Sequence, residues 1–296
     1  LVIVDEQHRF GVAQRLALKN KGRDVHQLMM SATPIPRTLA MSFFADLDVS
    51  VIDELPPGRT PIKTRLVNNV RRAEVEGFVL NICRKGQQAY WVCPLIEESE
   101  TLQLQTATET LEQLQAALPE LNIGLVHGRM KAAEKAEVMA EFAAGRLNVL
   151  VATTVIEVGV DVPNAALMVI EHAERMGLAQ LHQLRGRVGR GAAESVCVLL
   201  FAEPLSELAK ARLKVIYEHT DGFEIARQDL NIRGPGEFLG ARQSGVPMLR
   251  FANLEEDLHL LEQAREIAPI LIEQNPEIVE AHLARWLASR EGYLGV

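Results

Sequence analysis

Residues 180–191 read Gln180-Leu181-His182-Gln183-Leu184-Arg185-Gly186-Arg187-Val188-Gly189-Arg190-Gly191. Gln183, Arg187 and Arg190 are three or four residues apart, a spacing that puts all three on one face of a helix. Gly186, Gly189 and Gly191 are interleaved with them, although glycine weakens a helix interior. Arginine beside so much glycine points to close approach to a phosphate, whose oxygens a guanidinium grips in a bidentate way. A solvated basic turn has the same composition, so the stretch does not decide the matter alone.

Two further groups of residues have chemistry in them. Leu1-Val2-Ile3-Val4 reads as a buried parallel strand and delivers Asp5 and Glu6 at its carboxyl end, the usual ligand edge of an α/β sheet. Asp5 suits a hydrated Mg²⁺, and Glu6 suits polarising an attacking water. Acids also gather at any helix N-terminus. Leu28–Thr33 reads as a second buried strand ending in small hydroxyl residues, with Met29 and Met30 in the core. Residues 149–161 read as a strand delivering Thr153 and Thr154, then a loop with Gly159 and Asp161. Short hydroxyls and backbone N–H groups there can take nucleic-acid phosphates, though an ordinary strand and loop would look alike.

The elements that position these groups follow from composition and period. The chain has 296 residues, 48% of them hydrophobic, enough for about two domains. Net charge is −8, so any nucleic-acid site must be a local basic patch. Residues 206–250 carry seven Lys/Arg against six Asp/Glu, and residues 251–296 three against nine, so the acidity sits in the tail. Three widely spaced cysteines, Cys83, Cys93 and Cys197, fit neither a disulfide framework nor a zinc site and suit a reducing cytosol. No apolar run is long enough to span a membrane. The first residue is Leu and opens a core strand, which leads us to expect the C-terminal piece of a longer chain.

Residues 54–61, Glu-Leu-Pro-Pro-Gly-Arg-Thr-Pro, read as a linker. Beyond it, strands at 63–67, 89–95, 122–127, 149–154, 166–171 and 195–201 alternate with helices at 71–84, 106–118, 131–144 and 176–185. That alternation predicts a parallel sheet with helices on both faces. Tyr90 and Trp91 fall within a strand and are expected in the core; His127 and His182 are expected to be structural. Ser206 caps a helix to about His219, and Asp221 with Glu224 makes a capping-box start for a second, to about Leu230. Residues 231–245 form a glycine-rich loop. Asn253 and Asn275-Pro276 open the last helices, whose stripe of Leu254, Leu258 and Leu261 suggests a docking or capping tail.

The order Asp5-Glu6-Gln7-His8, then Ser31-Ala32-Thr33, a linker, Thr153-Thr154 with Gly159-Val160-Asp161, and Gln183-Leu184-Arg185-Gly186-Arg187-Val188-Gly189-Arg190 resembles a superfamily 2 helicase motor. The resemblance narrows to the RecG family of bacterial branched-DNA translocases through Asp5–Gly11, Ala32–Leu39, Gly177–Arg190 and the hairpin and loop at 212–245. It implies an α/β fold with RecA-like parallel sheets sandwiched by helices. Residues 1–58 would be the end of an incomplete first motor domain and 59–205 a complete second one. Residues 206–250 would be a translocation hairpin and loop, and 251–296 a helical tail. By the same resemblance, Asp5 holds the Mg²⁺ of Mg-ATP and Glu6 orients the hydrolytic water. His8 and Gln183 sense the γ-phosphate, and Arg187 and Arg190 are arginine fingers. Gly159 and Asp161 line the nucleotide cleft, and Thr33 and Thr153 lie on the DNA side. Arg212, Arg233 and Gln243 link cleft closure to movement along duplex DNA. Implied partners are forks and Holliday junctions, with single-strand-binding protein besides, in the bacterial cytoplasm near the nucleoid and not at a membrane.

One motif departs from the pattern. A Gly-x-x-x-x-Gly-Lys-[Ser/Thr] phosphate loop occurs nowhere in the sequence, so the expectation is that this chain alone neither hydrolyses ATP nor unwinds junctions. Residues 1–53 are expected to be loose for want of leading strands. Two alternatives stay open: a translocase like the transcription-repair coupling factor Mfd, which pushes RNA polymerase, and a non-enzymatic DNA-binding piece. Gln7 and Gly234-Pro235-Gly236 favour the RecG pattern over the Mfd pattern.

Overall fold

The computed structural model describes residues 1–5, 18, 22, 25–31, 50–52, 54, 59, 61–93, 100–153, 162–191, 193–233 and 258–287. The chain divides into two compact units, Ser50–Ile232 and Leu1–Val49 with Arg233–Val296.

The larger unit is built on a six-stranded sheet. Its strands are β3 (Lys63–Asn68), β4 (Gln88–Cys93), β5 (Ile123–Val126), β6 (Val149–Thr153), β7 (Ala165–Ile170) and β8 (Val196–Phe201), in the order β3-β8-β7-β4-β6-β5. Every pairing is parallel. The helices are α1 (Arg72–Arg84), α2 (Glu100–Ala117), α3 (Ala132–Ala143) and α4 (Leu178–Arg185), then the pair α5 (Glu207–Glu218) and α6 (Gly222–Arg233).

Period-two alternation divides the strand side chains into two cores. Tyr90, Val92, Leu150, Ala152, Met168, Ile170, Cys197 and Leu199 face a layer that includes Phe142 of α3, Leu178, Leu181 and Leu184 of α4, and Leu213 and Ile216 of α5. Ala89, Trp91, Cys93, Val149, Val151, Leu167, Val169, Val198 and Leu200 face Val75, Val79 and Ile82 of α1 and Leu114 of α2. Central strands buried on both faces read as unbroken apolar runs for this reason. The parallel sheet covered on both faces is the expected one, and Tyr90 and Trp91 are core residues, 2% and 0% exposed.

Element ends differ in instructive places. The second helix begins at Glu100 rather than 106, and α6 runs on to Arg233 rather than Leu230. Ser206 caps α5 by accepting from Ala209 N at 3.2 Å. Asp221 accepts from Phe223 N at 3.0 Å, but Glu224 does not close a capping box. Its carboxylate turns to Arg227 and Gln228 instead, since charged donors on the same helix face compete for it.

In the smaller unit β1 (Val2–Val4) and β2 (Gln27–Met29) pair in parallel, and α7 (Leu258–Gln274) and α8 (Pro276–Leu287) follow one another. The two strands exist, but the expectation that they are buried fails. Leu1 is 82% exposed, Ile3 58%, Leu28 50% and Met30 40%, and only Val4 is buried. A parallel strand is hidden only where layers cover both faces of its sheet, so an apolar run fixes strand character without fixing burial. Asn275 and Pro276 do open α8, with Ile278 N and Val279 N donating to Asn275 O. Residues 234–250, Asn253, Leu254 and most of 1–53 lie outside the described residues, as do the side chains of Leu258 and Leu261. Among the described residues, no helix is long and apolar enough to cross a membrane.

Candidate functional site

Helix α4 carries the first of the three aligned residues and ends before the other two. Leu178, Leu181 and Leu184 are buried under the sheet, which fixes the helix's rotation. Gly186 N bonds to His182 O at 3.0 Å and Arg187 N to Leu184 O at 3.0 Å, so the last turn closes on Gly186, the C-cap. Gly189 then takes φ 81°, a left-handed conformation that costs other residues about 1–2 kcal/mol. At Gly191 a Cβ would stand 2.3 Å from the Pro163 carbonyl oxygen, so only a bare backbone passes there. The expectation that Gln183, Arg187 and Arg190 share one helical face is therefore corrected. Gln183 is on the helix, and half-buried Arg187 and exposed Arg190 lie on the turn and loop beyond it. That loop is held between the end of α4 and the Pro163 turn, which follows Asp161 by two residues.

The residue that the sequence reading missed is Arg185, only 3% exposed. Its guanidinium donates to Ile216 O at 2.7 Å, His219 O at 2.9 Å, Thr220 O at 3.3 Å and Thr64 Oγ1 at 3.3 Å. Those carbonyls belong to the last turn of α5 and the connection to α6, where helix carbonyls otherwise lack partners. Nη2 also approaches His182 Nδ1 at 3.0 Å. Burial, then the Arg185 charge, push the His182 pKa down to about 4, so the ring is neutral and Nδ1 accepts. His182 is structural, as expected; among the described residues no group of His, Cys, Asp or Glu could hold a metal as a three-ligand cluster. The signal for Arg185 was its i,i+3 spacing from His182 within a Leu-rich face, but three arginines in one stretch look alike until burial separates them.

Arg212, from α5, makes a second tie. It donates to Met176 O at 3.1 Å and Glu174 O at 3.2 Å, the 3₁₀ turn Ala173–Arg175 and the residue after it that lead into α4. The hairpin α5–α6 is thus fastened to the start of α4 by Arg212 and to its end by Arg185.

Other groups gather at the carboxyl ends of the central strands. Thr153 closes β6, is 3% exposed, and its Oγ1 has no partner among the described residues. Glu171, 5% exposed just past β7, accepts from Trp91 Nε1 at 2.9 Å and pairs with Arg72. The Arg72 guanidinium also lies 5.0 Å from the Trp91 ring centre, a cation–π contact. Burial pushes the Cys93 and Cys197 thiols up to about 12 and Cys83 up to about 11, so none of the three is a thiolate nucleophile. An open groove of about 950 Å³ beside β3 is lined by Arg65, Phe78 and Tyr217 among others, but by none of Gln183, Arg187 or Arg190.

Asp5 follows β1 directly, exposed at the carboxyl end of its strand pair. Mg²⁺ keeps several waters and takes one or two carboxylates with substrate phosphates, and an exposed carboxylate at a strand end is a ligand type that suits that ion. Glu6, His8, Thr33, Gly159, Asp161 and Gln243 lie outside the described residues, as does the side chain of Arg233.

Residues 74–192 match the family described as helicase conserved C-terminal domain, and residues 219–287 match ATP-dependent DNA helicase RecG, domain 3, C-terminal. An ATP-dependent DNA helicase RecG of Acidithiobacillus ferridurans is 59% identical over 293 residues, 99% of this chain and 43% of the relative. That of Escherichia coli K12 is 58% identical over 298 residues, again 99% and 43%. The chain therefore spans under half the length of the curated relatives it matches. A solved structure of RecG bound to a three-way DNA junction superposes with a TM-score of 0.68 at 50% identity, covering 88% of this chain and 33% of that one.

Proposed function

Because the chain belongs to the RecG family along its whole length, we propose that it supplies the second motor domain and the translocation hairpin of an ATP-dependent DNA helicase acting on branched DNA. Arg187 and Arg190 are its arginine fingers, which neutralise charge on the transferring phosphoryl group. Gln183, with His8, senses the γ-phosphate; Gly159 and Asp161 line the cleft. Asp5 holds Mg²⁺ and Glu6 orients the attacking water. Thr33 and Thr153 lie on the DNA side, and Arg212, Arg233 and Gln243 pass cleft closure to the DNA. The substrates are stalled forks and Holliday junctions, single-strand-binding protein is a partner, and the site of action is the bacterial cytoplasm at the nucleoid. Four segments are distinguished by role: 1–58, 59–205, 206–250 and 251–296.

The observation that carries the reading is the double tie of the hairpin to α4. The helix that leads into both finger residues is bonded at each end to α5, through Arg185 and Arg212. A displacement of the fingers on phosphate release is then a displacement of the hairpin, as a rigid lever requires.

The test is ATP turnover by a full-length RecG-type protein carrying this chain, with forked and linear duplex DNA. The expected result is strong stimulation, greater with forks, abolished by Arg187→Ala or Arg190→Ala. Turnover indifferent to DNA would overturn the reading. A preference for linear duplex with capture of RNA polymerase would favour the Mfd-like alternative. The chain alone, having no phosphate loop in its sequence, is expected to show no turnover; if it instead binds DNA with no response to nucleotide, the non-enzymatic alternative gains.

A further inference from the structure

We propose that Arg59 is a positioning residue for the finger Arg187. The inference rests on the functional reading above and names a residue to which that reading gives no part.

Arg59 belongs to Leu55-Pro56-Pro57-Gly58-Arg59-Thr60-Pro61, the segment leading into β3. Its Nη2 donates to Gly186 O at 2.9 Å, across 127 residues of sequence, in a half-buried setting. Gly186 O and Arg187 N are the two ends of one planar peptide unit. Arg187 N donates to Leu184 O at 3.0 Å. The peptide preceding Arg187 is therefore held from both sides: its N–H by the last turn of α4 and its carbonyl by Arg59. A plane fixed at both ends fixes the N–Cα bond from which the Arg187 side chain departs.

The chemistry suits the task. The Gly186 carbonyl is one of the terminal acceptors that a helix leaves without an internal partner. A cation is favoured there by the helix dipole, and a bond to a charged donor is stronger than one between neutral groups. A Cβ at Gly186 would stand 3.8 Å from Arg59 Nη2, an ordinary contact distance, so the guanidinium lies close over this turn. Three prolines within six residues of Arg59 restrict the backbone that carries it. Arg59 thus reaches from the segment before β3 into the turn that leads to Arg187.

The experiment has two arms. In this chain, Arg59→Ala should raise amide exchange at Arg187 by about tenfold or more while β4 amides keep their protection. In a full-length RecG-type protein carrying the chain, Arg59→Ala should lower kcat about tenfold with KM for ATP changed less than about twofold. Arg59→Lys, which keeps one charged donor, should recover most of that loss. In an Arg187→Lys background, chosen so that turnover stays measurable, Arg59→Ala should add less than about twofold, because both changes act through one group. Equal fold-losses in the two backgrounds, or unchanged exchange at Arg187, would overturn the proposal. Wild-type turnover indifferent to DNA would instead overturn the functional reading on which it rests, whatever the exchange arm gave.

Discussion

Arg185 places one guanidinium nitrogen 2.7 Å from the carbonyl of Ile216, joining the end of α4 to the last turn of α5. The same group serves His219 O, Thr220 O and Thr64 Oγ1. Truncation would leave several inward carbonyls without a donor, and an unsatisfied buried acceptor costs more than the bond itself is worth. Arg185→Ala should destabilise by about 2–4 kcal/mol. Urea unfolding should show the loss, and amide exchange should rise first across 207–232. Arg185→Lys should fall between, since one ammonium cannot reach four acceptors.

His182 gives this tie a pH dependence. Its folded pKa lies near 4, below the ordinary value of about 6.5 in the unfolded chain. Between those values the unfolded state binds the extra proton. Stability from this residue is therefore complete above about pH 6.5 and lost as pH falls toward 4, by at most about 3 kcal/mol. Carboxylates titrate in the same range, so the informative quantity is a difference. His182→Gln keeps an acceptor and cannot titrate; its unfolding free energy should fall less than wild type between pH 7 and 4. Parallel curves would show that His182 does not titrate in this way.

The sheet was legible because its strands announce themselves. Val149–Thr153 and Val196–Phe201 are apolar on both faces, and only a covered parallel sheet makes that stable. The same rule misled at Leu1–Val4 and at Leu28–Met30, where an apolar run makes a strand whose faces stay open to solvent. At the candidate site the residue types were legible and the geometry was not. Period alone set Gln183, Arg187 and Arg190 on one face, but it carries no information on where Gly186 ends the helix. Arg185 and Arg59 were invisible for a deeper reason. Their partners are carbonyls 31 and 127 residues away, and a carbonyl has no side-chain signature.

Gly191 and Gly77 should respond oppositely to alanine. At Gly191 the added carbon meets Pro163 O at 2.3 Å, a backbone atom that cannot step aside. Overpacking of this kind costs about 1–3 kcal/mol. Gly77 lies within α1 with nothing within 4 Å of its would-be Cβ, so Gly77→Ala should stabilise by about 0.5–1 kcal/mol through helix propensity. Thermal denaturation of the two variants tests both. A raised Tm for Gly191→Ala would mean that the loop and the Pro163 turn are not in contact.

Arg190 separates activity from stability. It is exposed on the loop beyond α4, whereas Arg185, five residues earlier, is buried. Surface substitutions away from special backbone sites change stability by about 0.5 kcal/mol or less. Removal of an arginine finger costs about 10³–10⁵ in turnover. Arg190→Ala should accordingly leave the unfolding midpoint of this chain nearly unmoved while abolishing DNA-stimulated ATP turnover in a full-length RecG-type protein. Arg185→Ala should lower both. If Arg190→Ala lost stability in step with activity, the loop would be a structural element of the domain and the finger assignment would fail.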